Sequence, residues 1–149
     1  MARTDYATVA EVESLTWSFT TDTTPTTAEV TAKLTNMHDR VDNNIYNRYS
    51  TPVTDTESIA TLKDIVLAFM VDWVYRCKYG FKDIPEAVTE ARKDAKETLL
   101  EIRRGGIALQ GATQQSTGGL IEYNSALKTS DDTDFNTNSS TDDYGKDTY

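Results

Sequence analysis

The stretch Ser58 to Tyr79, SIATLKDIVLAFMVDWVYRCKY, decides the fold. Fifteen of its 22 residues are apolar or aromatic, and they do not keep to one stripe. Ile59, Leu62, Ile65, Phe69 and Trp73 mark one face, while Val66, Leu67, Met70, Val71 and Val74 cover others. A helix that is apolar on most sides must be buried on most sides. At about 1.5 Å per residue it runs roughly 33 Å, close to the width of a small domain. It does not read as a membrane span. Lys63, Asp64, Asp72, Arg76 and Lys78 leave an uncharged run of only seven residues, Ile65 to Val71, where a bilayer needs roughly 20. The stretch therefore reads as the central helix of a small bundle.

Three further helices are expected around it. Thr8 stands three residues before Glu11, a capping-box spacing that opens a short helix over 8–15. Thr16 to Thr24 is Thr-rich and reads as an extended loop, with Trp17 and Phe19 anchoring on a surface of this subunit or of a neighbour. After Pro25, the pair Thr26 and Glu29 repeats the box, and Val30, Leu34, Met37, Val41 and Ile45 form one apolar stripe on a helix running to about Tyr49. Pro52 stops it. Thr54 with Glu57, and Asp83 with Glu86, supply the same spacing before the central helix and before a last helix ending at Arg104. Gly80 and Gly105-Gly106 are the expected stops. Ala87, Val88, Ala91, Ala95, Leu99 and Ile102 read as the buried side of that last helix, and Ile107-Ala108-Leu109 as a short extended run that pairs with an edge. The fold class predicted is all-α: a short N-terminal helix plus three long ones, the central one buried, over residues 1–109.

From Gln110 to Tyr149 the composition changes, and only nine of 40 residues are apolar or aromatic. Seven acidic residues against two lysines give this segment −5 of the chain's −9, leaving −4 for the body. By itself such a segment buries too little surface to offset its ordering entropy. It reads as an extended acidic C-terminal arm, with Leu120, Ile121, Tyr123, Leu127, Phe135, Tyr144 and Tyr149 as anchors for partner chains.

Little points to catalysis. His38 is the only histidine, and its helix context reads as solvent-facing. Cys77 is the only cysteine, which excludes an intrachain disulfide or a Cys-based metal site, and it reads as a small buried hydrophobe. There is no Gly-rich phosphate loop, HExxH or GxSxG pattern. Asp131, Asp132 and Asp134 lack the glycine and distal glutamate of a calcium loop. The expectation is a protein that is not an enzyme and takes no cofactor or metal. The N-terminus shows neither a signal-peptide apolar region nor a transit peptide, and the excess of acid argues against whole-molecule binding to nucleic acid. Arg92, Lys93, Lys96, Arg103 and Arg104 offer a basic stripe, but Glu90, Asp94, Glu97 and Glu101 are interleaved with it. That pattern reads first as a mixed solvated face, and as a channel lining if copies repeat by rotation.

The order of features resembles a known family. Asp5-Tyr6-Ala7-Thr8 precedes a short helix, Ile45-Tyr46-Asn47-Arg48-Tyr49 ends the next, and a very apolar helix closes on Tyr75-Arg76-Cys77. A charged helix follows, with Glu90-Ala91-Arg92-Lys93-Asp94-Ala95 and Leu99-Leu100-Glu101-Ile102, then Gly-Gly and Ile107-Ala108-Leu109. Over residues 5 to 109 this is similar to the head–tail adaptor (head-completion or connector) proteins of tailed viruses. The resemblance implies a virion protein of the neck, assembled in the host cytoplasm, that forms a ring, usually of twelve copies, beneath the portal protein. Such a ring extends the channel through which genomic DNA passes, without reading its sequence, and docks the next neck or tail protein; no membrane is involved. A terminal arm often reaches the portal or a neighbouring subunit, although this arm is unusually long and acidic. Alternatives are a tail-completion protein or other neck component, and a small helical regulator that binds DNA through its last helix.

Overall fold

The computed structural model describes residues 5–115, which hold four helices and no strand. They are α1 (Val9–Leu15), α2 (Thr27–Ile45), α3 (Thr56–Tyr79) and α4 (Glu86–Arg104). The predicted arm anchors Leu120, Ile121, Tyr123, Leu127, Phe135, Tyr144 and Tyr149 lie outside the described residues.

Local chemistry accounts for most helix ends. Both expected boxes form at α1 and α2: the Thr8 and Thr26 hydroxyls accept from the Glu11 and Glu29 backbone N–H groups, and each Glu reaches back to the Thr N–H. The two later boxes do not form. α3 is capped by Asp55, one residue beyond Thr54, whose carboxylate accepts from the N–H groups of Glu57 and Ser58 and meets the positive end of the helix dipole. Pro85 occupies the cap position of α4, and no side chain caps that end. Gly105 closes α4 at φ +92°, a left-handed backbone conformation that requires glycine. α2 ends at Ile45, earlier than expected. Tyr49, beyond it, turns inward at 1% exposure, where its phenol oxygen accepts from the Leu109 N–H at 3.0 Å.

α3 touches each of the other three helices, as its all-round apolarity demands. Leu62, Ile65, Val66, Met70 and Val74 are buried, and the α2 stripe from Val30 to Ile45 packs against them. Tyr6, Ala7, Val12 and Phe19 close the core from the N-terminal side. Two expectations are corrected. His38 is 1% exposed, because the segment 5–7 crosses over α2: His38 Nε2 accepts from the Ala7 N–H at 3.2 Å, and Nδ1 lies 3.3 Å from the Asp5 carboxylate. Cys77 is exposed, since the last turns of α3 run beyond its buried residues, which end at Val74.

The run 107–109 is also not an extended pairing segment. Leu109 is buried and Ile107 exposed, and the pairing falls further along. Ser50 N–H donates to Thr113 O at 2.8 Å and Gln115 N–H to Arg48 O at 2.7 Å, while Ser58 Oγ donates to Gln110 O at 2.6 Å. Residues 110–115 are thus bonded to the loop after α2 and to the start of α3.

Two outcomes follow from this packing. The Tyr6 hydroxyl accepts from the Val53 N–H at 3.0 Å and donates to Asp42. Tyr6→Phe strands that buried N–H and is expected to lower stability by about 1–3 kcal/mol, measured by urea denaturation. Glu11 and Lys63 pair at 2.9 Å between α1 and α3. The hydrogen bond from Lys63, and after it that from the Thr8 backbone, hold the Glu11 carboxyl below the usual carboxylate range. A depressed carboxylate stabilises above its unfolded-state pKa, and the benefit is lost as pH falls through the folded value. Glu11→Gln should therefore be less stable than the unmutated chain at pH 7, with the gap narrowing as acid protonates the folded-state Glu11 carboxyl; a gap that does not narrow in acid would contradict this.

Candidate functional site

The charges of α4 interleave in the sequence and separate only in part on the helix, where Lys93, four residues before Glu97, and Arg104, three after Glu101, stay on the acidic side. Glu90, Asp94, Glu97 and Glu101 step by four, three and four along one edge, and Arg92, Lys96 and Arg103 by four and seven along another. Between these edges runs the buried line of Ala95, Leu99 and Ile102. Ala87, Val88 and Ala91, expected on the buried side, are not buried: Ala87 and Ala91 are exposed and Val88 is half-buried. Only the second half of α4 is seated in the core.

Each side of α4 carries a depression. On the basic side, a cleft between α2, α3 and α4 gathers Lys33, Arg40, Arg76, Arg92 and Lys96 around a single acid, Asp72. Asp72 is 3% exposed. Its Oδ2 accepts from Arg76 Nε at 2.6 Å and lies 3.2 Å from Arg92 Nε, while Oδ1 is buried without a hydrogen-bond partner. The Arg76 contact, within α3, holds the Arg76 guanidinium above its ordinary pKa, and the Arg92 contact ties α4 to α3. Five cations around one carboxylate leave a net positive cleft on a chain of net charge −9. Trp73 sits at the cleft half-buried, with Lys33 Nζ 5.7 Å from its ring centre.

On the other side, a groove of about 340 Å³ is lined by Leu15, Leu67, Ala68, Val71, Val88 and Ala91, with Asp64 as its only charged wall. It continues along α4 past Asp94. The side of α3 that carries Leu67, Ala68 and Val71 is thus left partly uncovered.

Among the residues singled out from sequence, Arg92 and Lys96 meet in the basic cleft. Lys93, Arg103 and Arg104 are exposed outside it, with Arg104 Nη1 3.6 Å from Glu101. Phe19 is buried in the core. Trp17 is half-buried, edge-on to Phe19, Tyr75 and Tyr79, and Lys78 Nζ lies 4.2 Å over its ring. Sequence reasoning missed Asp72 with its partner Arg76, and Lys33 and Arg40, which line the same cleft. The available signal was an Asp-Arg pair at i, i+4 inside an otherwise apolar helix. Among the described residues there is no group of three or more acidic, His or Cys side chains placed to hold a metal, and no helix is long and apolar enough to cross a membrane.

By its fold this is a small all-α protein, with a basic cleft and an apolar groove on the two sides of α4. The protein-family model described as "Bacteriophage Mu, Gp36" matches residues 4–120; the chain belongs to that family and is a phage structural or morphogenesis protein. No curated protein and no solved structure matches it.

Asp72→Asn keeps the shape but removes the charge that two guanidiniums share. We expect a loss of about 1.5–3 kcal/mol, the range for hydrogen bonds to charged groups. Chemical denaturation would show it, and an unchanged midpoint would mean that Asp72 does not hold α4 in place.

Proposed function

We propose that this phage protein is a head–tail adaptor: a non-enzymatic neck component that assembles as a ring beneath the portal, extends the DNA channel and receives the next neck or tail protein. The observation that carries the reading is the combination of family membership over residues 4–120 with the helix order α1 to α4, which is the order the adaptor resemblance implies. The unequal flanks of α4 support it, because a subunit that meets neighbours on two sides needs two different surfaces. In this reading Lys93, Arg103 and Arg104, exposed beyond the cleft, are the candidates for the channel wall, and the acidic segment after Gln115 reaches a partner chain.

The basic cleft favours a second reading, a helical protein that binds DNA through α2 and α4. Duplex affinity that falls steeply with salt would mark phosphate neutralisation as its basis.

The deciding measurement is the mass of the full chain in solution, alone and mixed with its cognate portal protein, by light scattering. A ring that forms on the portal is the expected result. A chain that stays monomeric and ignores the portal would overturn the adaptor reading. Truncation after Gln115 is expected to preserve helical circular dichroism while weakening assembly, since residues 110–115 are bonded to the body.

A further inference from the structure

α4 is flanked by two unlike surfaces, and one carries what the other lacks. The groove side is apolar and acidic at its rim. Leu67, Ala68 and Val71 of α3 face Val88 and Ala91 of α4 across it, and Asp64 and Asp94 are the charges along its length. The acidic edge of Glu90, Asp94, Glu97 and Glu101 runs beside it. Nothing in the described residues fills this space. The apolar pattern of α4 begins at Ala87, yet the subunit buries α4 only from Ala95 onward.

The opposite side supplies a knob. Phe81, in the turn between α3 and α4, is 81% exposed, the most exposed of the large hydrophobic side chains among the described residues. Its ring lies 5.0 Å from the Arg76 guanidinium, and Arg76 lines the basic cleft. The knob is therefore an aromatic ring with a cation against it, on the flank of α4 away from the groove. Within one subunit, Phe81 stacks on the wrong side to enter the groove.

We infer that Phe81 of one copy seats in the groove between α3 and α4 of the next, so that the basic flank of each subunit meets the acidic rim of its neighbour. This rests on the ring reading above and names its interface. An apolar ring entering an apolar groove provides burial, and Arg76 against Asp64 and Asp94 provides charge complementarity and register. Because knob and groove lie on different flanks, the contact is head-to-tail and repeats from copy to copy, which yields a ring when the rotation closes. A two-fold dimer would need one self-complementary patch, and neither flank is that.

Disulfide capture on the assembled protein tests this. In a Cys77→Ser background, the full chain carrying Phe81→Cys and Ala68→Cys is assembled on the cognate portal and oxidised with copper phenanthroline. The expected result is a ladder of linked chains on a non-reducing gel, absent when either new cysteine is present alone. Assembled rings that give no ladder overturn the inference and leave the ring reading standing. Dimers formed by the Phe81→Cys chain alone also overturn it, since they would place two knobs together. An unmutated chain that fails to assemble on the portal overturns both. As an independent reading, Phe81→Glu is expected to weaken assembly at least tenfold with unchanged circular dichroism, because the residue makes no core contact. Assembly at the unmutated level would count against the contact.

Discussion

The structure depends on burying α3. A 24-residue helix with apolar residues on most of its circumference has no stable place at a surface, and a chain of this size has few elements with which to cover it. α2 covers one face along its whole stripe, α1 and the segment around Tyr6 cover another, and α4 covers a third only over its second half. α1, α4 and the segment after α4 are each fixed by a directional contact as well as by apolar packing: Glu11 to Lys63 for α1, Asp72 to Arg92 for α4, and Tyr49 to Leu109 for the segment that follows.

That arrangement explains why an open groove and a basic cleft lie beside α4. A helix seated by its second half only leaves its first half, and the part of α3 opposite, as an open groove. Asp72, placed where α4 meets α3, draws Arg76 and Arg92 to the other side. Glu90, Asp94, Glu97 and Glu101 share one edge of α4 and Arg92, Lys96 and Arg103 another, because steps of three and four return to the same side of a helix. A single core contact thus produces two surfaces of opposite character on one subunit.

Much of the fold was legible because helix signals are local. The boxes at Thr8 and Thr26, the stripe from Val30 to Ile45 and the glycines at 80 and 105 each act within a few residues of themselves. At His38 and in the basic cleft, residues distant in the chain intervene. His38 looked solvent-facing on its own helix, yet the chain at Asp5 to Ala7 crosses over it. Asp55 and not Thr54 caps α3, a choice between adjacent candidates that spacing does not settle. The five cations of the cleft come from three helices, so no window of sequence contains them together.

The sequence by itself determined the all-α class, the number and approximate spans of the helices and the burial of α3, because periodicity and capping are short-range properties of the chain. It also determined which α4 charges share an edge, Glu90 with Asp94, Glu97 and Glu101, and Arg92 with Lys96 and Arg103, because that follows from helical spacing alone. Only the tertiary structure decided which apolar residues remain uncovered and which cations converge. Those outcomes depend on how far α4 lies along α3 and on which side each turn departs, and both are set by contacts between residues far apart in the chain.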